Sequence, residues 1–245
     1  MNHSIELVVF DLSGTTVEDD NAVAKSLYTA AQEFKLDVSL EDFEKTIGTN
    51  KIHLYQYMIA KTQGKDLTIK DFEKYDFPEI LEEAMEIFER YSVIMIDYYR
   101  NHVNAMPGAE EVFRWLHDKG IKVATDTGFH RDVTNAIMEG LQWKEKGLID
   151  LAVDVESTHG VGRPAPYMVF HAMQKLDVQS VHGVVKVGDT PADLLSGKNA
   201  GCGANIGVLS GANSAEVLGK YHHTHILPSV RELPALLESE YGVGN

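Results

Sequence analysis

A short, predominantly apolar run, Ile5 to Phe10, ends on Asp11, and Leu12-Ser13-Gly14-Thr15-Thr16 follows at once. Such a run reads as a buried strand, because a strand of a parallel sheet is covered on both faces. A carboxylate at the carboxyl end of a parallel strand stands where open α/β sheets bind their ligands. The small turn behind it brings backbone N–H groups and hydroxyls toward an anion. Alone, Asp-x-x-Gly-Thr is weak, since an aspartate at a strand end is often only a turn former. Three later stretches complete one site.

The strand–helix alternation does not continue directly. Three helical patterns occupy the chain up to about Asn104. The first carries Val23, Leu27, Ala30, Ala31 and Phe34 on one face, and the second runs from about Leu40 to Lys61 with a break near Gly48-Thr49-Asn50. The third places Ile80, Ala84, Ile87, Phe88, Tyr91, Ile94, Met95 and Tyr98 at three-to-four spacing. An all-helical block after one strand predicts an inserted α-helical cap domain, residues 17–104, on a core formed by 1–16 and 105–245. From Met106-Pro107-Gly108 the α/β pattern resumes. Strands are expected at 121–124, 151–155, 184–187, 204–208 and 225–227, with helices at about 131–139, 167–175 and from Pro191 to Ala200. That order predicts an α/β fold: a Rossmann-like, doubly wound parallel sheet with helices on both faces.

Acidic residues outnumber basic ones 37 to 22, the net charge is -15, and there is no Lys/Arg run. A nucleic-acid partner is therefore not expected. An anionic substrate would need local positive charge or a metal in its pocket. The single cysteine, Cys202, excludes an internal disulfide and fits a reducing cytosol, so a cytoplasmic location is expected. No signal peptide is visible at Met1-Asn2-His3-Ser4, and no apolar stretch is long enough to span a bilayer.

In a doubly wound sheet four strand ends meet at one edge. Here they offer Asp11, Thr127, Arg163 from the loop after its strand, and Asp189 with Asp193. Two carboxylates on different strands can hold Mg2+, which prefers oxygen ligands. A hydroxyl and a guanidinium can hold phosphoryl oxygens, and an aspartate can attack phosphorus to form an aspartyl-phosphate. Each residue also has a plainer reading. Asp189 and Asp193 could cap the helix begun by Pro191, Arg163 could form a loop salt bridge, and Thr127 could be a turn hydroxyl. Their joint placement at the matching edge favours a site.

The stretches VVFDLSGTT, VATDTG, GRPAP and VGDTPADLLSGKNAG resemble the haloacid dehalogenase superfamily of phosphohydrolases, over the chain from near its start to about Gly201. The resemblance implies a Rossmann-like core, a helical cap after the first strand, Mg2+, and Asp11 as nucleophile. It also implies that Ser13 lends its backbone carbonyl to the metal, Asp189 lends its carboxylate, and Asp193 supports that metal site. Most phosphatases of the superfamily carry an aspartate two residues after the nucleophile, as the acid that protonates a leaving alkoxide. Here that position is Ser13, whose hydroxyl is too weak an acid for the task.

Gly14-Thr15-Thr16, Thr127-Gly128-Phe129, Gly-Arg-Pro-Ala-Pro around Arg163, and Ile47-Gly48-Thr49-Asn50-Lys51-Ile52 are similar to the phosphonoacetaldehyde hydrolase family. Its members carry a small residue where Ser13 stands. They form a Schiff base on a cap lysine, so that an enamine departs when the C–P bond breaks. The resemblance puts Lys51 on that lysine. Four positions depart from the family pattern. Leu54 replaces a histidine, with His53 one place earlier; Phe129 replaces a tyrosine; Asn21 replaces a cysteine; and Ile47 replaces a methionine. The expected function is a Mg2+-dependent phosphonatase-like hydrolase of a small phosphonate or phosphate ester. The alternatives are a phosphate-monoester phosphatase and a catalytically silent phosphate binder. Pairing of two copies through the cap is expected by analogy with related phosphonatases. His222, His223 and His225 are read as solvated loop residues, and Glu18-Asp19-Asp20 as a solvated hinge leading into the first cap helix.

Overall fold

The computed structural model describes residues 4–46 and 49–244. The chain divides into two compact units, residues 20–101 and residues 1–19 with 102–245. The second of these is an α/β unit and the first is all helical.

The α/β unit begins with β1 (Leu7–Asp11), every residue of which is buried. Beyond the helical insertion come α6 (Ala109–Asp118), β2 (Lys122–Asp126), α7 (Arg131–Leu141) and β3 (Leu151–Val153). They are followed by α8 (Tyr167–Lys175), β4 (Val184–Gly188), α9 (Pro191–Ala200) and β5 (Ala204–Val208). The unit closes with α10 (Ala215–Leu218), β6 (His225–Leu227) and α11 (Leu233–Tyr241). The six strands form one parallel sheet in the order β3-β2-β1-β4-β5-β6. This is the Rossmann-like architecture expected from the alternating pattern. Side chains alternate between the faces of a strand. Leu7 and Val9 of β1 join Met168, Val169 and Ala172 of α8 in one apolar layer. Phe10, on the other face, stacks edge-on against Phe113 of α6 at 5.3 Å. Helices therefore cover both faces.

Among the strands, the largest departures from the sequence reading are at the ends of β2 and β3. β2 runs on through Thr125 and Asp126 rather than stopping at Ala124, because its ladder with β1 continues to the pair Asp11↔Asp126. Conversely, β3 stops at Val153, where Asp154 turns to accept hydrogen bonds from Ser157.

In the helical unit, α1 (Ala22–Glu33) and α3 (Lys51–Thr62) each pack on α5 (Leu81–Asn101). Between them lies the short α2 (Leu40–Glu44), opened by a capping box of Ser39 with Asp42. The expected second helix is thus two helices. A further short helix, α4 (Ile69–Lys74), went unread in the sequence; its signal is the Thr68–Asp71 capping box rather than an apolar stripe. The matched positions Ile47 and Gly48 lie outside the described residues.

Candidate active site

Asp11 is the last residue of β1, and the turn after it is wound tightly on the Leu12 carbonyl. That carbonyl accepts from the N–H groups of Thr15, Thr16 and Val17 at 2.8–3.1 Å. Gly14 sits at φ +80°, where a Cβ would meet Asp189 Oδ2 at 2.8 Å. The two threonine hydroxyls do not point to an open anion site, as the sequence suggested. Thr15 Oγ1 donates to Asp189 Oδ1 at 3.0 Å, and Thr16 Oγ1 donates to the Asp11 carbonyl at 2.7 Å. Ser13 Oγ donates to Asp19 Oδ2 at 2.9 Å.

Asp189 follows β4 and is held from three sides. Besides Thr15, the Ala212 N–H donates to its Oδ2 at 2.7 Å, and Asn213 Nδ2 donates to its backbone carbonyl at 3.1 Å. Ser210 Oγ donates to the Gly14 carbonyl at 2.8 Å, so the loop after β5 binds the turn that follows Asp11 as well. That loop carries no sequence motif, and its part in the site is visible only in three dimensions.

Asp193 lies at the third position of α9. Thr190 and Asp193 form a capping box, with Pro191 at the first turn. The capping alternative is therefore true of Asp193, but it uses only Oδ2. Oδ1 accepts from Lys186 Nζ at 2.8 Å and from Arg163 Nη1.

Arg163, with a side chain only 10% exposed, ties these carboxylates together. Its Nη1 lies 2.8 Å from Asp11 Oδ1 and 3.7 Å from Asp126 Oδ1, and it pairs with Asp193. Thr127, directly after β2, is buried and accepts from the Phe129 N–H at 3.2 Å, which leaves its hydroxyl proton to donate. The α/β unit thus brings together Asp11, Arg163, Asp189 and Asp193.

Sequence reasoning missed Asp126 and Lys186. Asp126 falls beyond the strand end expected at Ala124 and carries no assigned role there, yet it is the cross-strand partner of Asp11. Lys186 lies opposite Val9 in the ladder and so faces the same side of the sheet as Asp11.

Charge in this cluster is strongly coupled. Burial, with Asp193 and Asp189 nearby, pushes the Asp11 carboxyl well above the usual carboxylate range against the pull of Arg163. Burial and Asp193 raise Asp189 to about 6. Burial also acts to raise Asp193, but Arg163 and Lys186 outweigh it and hold that carboxyl down to about 2. Four buried carboxylates face two enclosed cations, Arg163 and Lys186. With all four ionised two negative charges would be left over, and burial of that excess makes Asp11 and Asp189 hold protons more tightly. The donors are all oxygen, which suits a hard divalent cation. Asp11, Asp126 and Asp193 offer ligand atoms within 4.8 Å of one another, the one such group among the described residues; Arg163 and Lys186 already pair with its carboxylates, and Asp189 is not part of it. The histidines at 222, 223 and 225 do not join such a group; His223 Nδ1 lies 2.7 Å from the Tyr221 carbonyl oxygen.

Lys51 belongs to the helical unit. It is the first residue of α3, behind the Asn50 cap, and its half-buried ammonium donates to the Thr49 carbonyl at 3.2 Å. Leu54, on the same helix, is fully buried. No helix among the described residues is long and apolar enough to cross a membrane.

A model of the haloacid dehalogenase-like hydrolases matches residues 5–201. A phosphonoacetaldehyde hydrolase of Bacteroides fragilis is 28% identical over 229 residues, covering 92% of this chain and 83% of that protein. Among solved structures, a phosphonoacetaldehyde hydrolase-like protein from Oleispira antarctica aligns with TM-score 0.76 at 20% identity, over 98% of this chain and 94% of that one. A hydrolase from Pseudomonas syringae aligns with TM-score 0.77 at 18% identity, over 96% and 99% of the two chains. The matched segment carries the Asp11 turn, the end of β2, Arg163 and the Asp189–Asp193 stretch, and the chain belongs to the haloacid dehalogenase-like hydrolases.

Proposed function

We propose that this hydrolase is Mg2+-dependent and takes a phosphoryl group onto Asp11 from a small phosphonate. The observation that carries the reading is the 2.8 Å pairing of Arg163 Nη1 with Asp11 Oδ1 at the end of β1. It sets a guanidinium beside the attacking carboxylate, where the equatorial phosphoryl oxygens need positive charge. Asp11 would attack phosphorus, and Arg163 and Thr127 would hold the phosphoryl oxygens. Mg2+, held by Asp11, Asp189 and the Ser13 carbonyl, would withdraw charge from the phosphoryl group. With both oxygens of Asp193 already accepting hydrogen bonds, its part would be to fix Arg163 and the first turn of α9.

The phosphonate half of the reading rests on Ser13, on the match at Lys51, and on relatives that bear the name phosphonoacetaldehyde hydrolase. Lys51 would condense with a substrate aldehyde and release water. As the Asp11 oxygen bonds to phosphorus, the C–P electron pair would move onto the protonated imine and leave an enamine. Water would then cleave the aspartyl-phosphate and return Asp11, while protonation of the enamine at carbon and hydrolysis of the resulting imine by a second water would release the aldehyde product and return Lys51. Departure as an enamine needs no acid at Ser13. Incubation with phosphonoacetaldehyde and Mg2+ tests this: phosphate release, and borohydride trapping of an adduct on Lys51, are expected. Release of phosphate without an adduct rejects the imine; the absence of both phosphate release and an adduct rejects C–P cleavage.

A second reading, phosphate-ester hydrolysis, is favoured by Leu54 and Phe129, both buried and apolar where the phosphonatase family has polar groups. Turnover of alkyl phosphates, abolished by Asp11→Asn, would support it. Activated aryl phosphates do not discriminate, because their leaving groups need little protonation.

A further inference from the structure

Lys186 is 1% exposed, and a buried ammonium is costly unless it is paired. Its Nζ donates to Asp126 Oδ1 at 2.9 Å, to Asp193 Oδ1 at 2.8 Å and to the Val187 carbonyl at 3.2 Å. Asp126 is fully buried and its Oδ2 has no hydrogen-bond partner among the described residues. The α9 backbone leaves space for this arrangement through Gly197, where a Cβ would stand 2.8 Å from the Lys186 Cβ.

We propose that Lys186 and Asp126 are positioning residues that set where the Arg163 guanidinium stands. This rests on Arg163 and Asp11 forming the phosphoryl site. Arg163 Nη1 is shared among Asp11, Asp126 and Asp193. Without another cation, the last two carboxylates would compete with Asp11 and the phosphoryl group for the guanidinium. Lys186 bridges the end of β2 and the first turn of α9 and answers both. Asp126 in turn anchors the ammonium at the sheet, so that Asp193 Oδ1 is shared between Lys186 and Arg163 instead of drawing the guanidinium alone. A buried ion pair gains little stability over apolar packing of equal volume. The value of the pair is therefore geometric, as with the outer-shell partners of metal ligands.

The test compares the unsubstituted protein with Asp126→Asn, Lys186→Met and the double variant, in Mg2+. Calorimetric binding of orthovanadate, a phosphoryl mimic, is read beside kcat, KM and the unfolding midpoint. Lys186→Met is expected to weaken vanadate binding by about 10- to 100-fold. The double variant, which removes the uncompensated carboxylate as well, should recover part of that loss. If Lys186→Met does not fold, the isosteric Asp126→Asn and the double variant carry the comparison, with a loss of roughly tenfold expected for the former. Folded variants that bind vanadate as the unsubstituted protein does would overturn the proposal, even if their midpoints fall. No vanadate binding by the unsubstituted protein would overturn the phosphoryl-site reading together with this one; normal binding there with unchanged variants overturns this one alone.

Discussion

The Thr15 hydroxyl donates to Asp189 Oδ1 at 3.0 Å, joining the turn after β1 to the end of β4 across 174 positions of sequence. The bond orients one candidate ligand from the turn that follows Asp11, the proposed nucleophile. Removing the hydroxyl while keeping the volume should loosen that carboxylate. Thr15→Val is expected to weaken Mg2+ binding by about 10- to 100-fold, and Thr15→Ser to retain most of it. Titration calorimetry of the protein with Mg2+ checks both.

Gly197 lets α9 approach β4 and β5. A Cβ there would meet the Lys186 Cβ at 2.8 Å and collide with the Asn205 side chain. Gly197→Ala should therefore cost about 1–3 kcal/mol, as overpacking does, although alanine is the better helix former. Urea unfolding measures the loss. An unchanged midpoint would mean that the helix moves outward at no cost.

The titration of Asp189 links proton and cation binding. In the cation-free protein its carboxyl is raised to about 6 by burial and Asp193, so the folded state binds a proton that the unfolded chain releases near pH 4. A raised carboxyl pKa contributes stability at low pH that is lost as pH rises from about 4 toward 6. Asp193, held at about 2, runs the other way: its contribution is present above about pH 4 and is lost as pH falls toward 2. A cation binding Asp189 must displace the proton. Apparent Mg2+ affinity should therefore climb as pH rises toward about 6, with proton release, and the Asp11 carboxyl, which burial also raises, should extend the climb beyond it. Calorimetry in buffers of different ionisation enthalpy reads the released proton directly.

The parallel α/β sheet and the family were legible because β1, β2, β4 and β5 are short apolar runs closed by glycine, proline or aspartate, and those signals are local, whereas the strand order is a property of the pairing. Asp11, Arg163, Asp189 and Asp193 stood out for the same reason, each in a compact motif at a strand end. Asp126 and Lys186 did not. One falls just past the expected strand end and the other inside an expected strand, neither with a chemical role, and only the ladder places both on the face of Asp11. The loop from Ser210 to Asn213 was silent because it contributes chiefly an N–H and an amide, groups that every sequence contains. Lys51 was found by family likeness alone; a lysine beginning a helix carries no chemical signature of its own.

Arg163 offers the sharpest test of how the site uses charge. Its guanidinium meets Asp11 and Asp193 through one nitrogen, and its Nη2 lies 3.7 Å from where a Cβ on Gly128 would stand, beside Thr127. A planar fork can keep its carboxylate partners with one arm and turn the other to a phosphoryl oxygen, whereas an ammonium is a single point of charge. Arg163→Lys preserves the charge and the pairing with Asp11 but removes the second arm. Binding through one contact should survive in weakened form, while charge stabilisation at the moment of transfer should suffer more. The expected outcome is a fall in kcat on the order of 100-fold with a smaller rise in KM. Arg163→Met, which leaves Asp11 and Asp193 without their shared cation, should lower kcat further and weaken orthovanadate binding. Steady-state kinetics on whichever phosphonate or phosphate ester the protein turns over separates the two variants. Equal kcat in Arg163→Lys and the unsubstituted protein would mean that the fork contributes nothing beyond its charge.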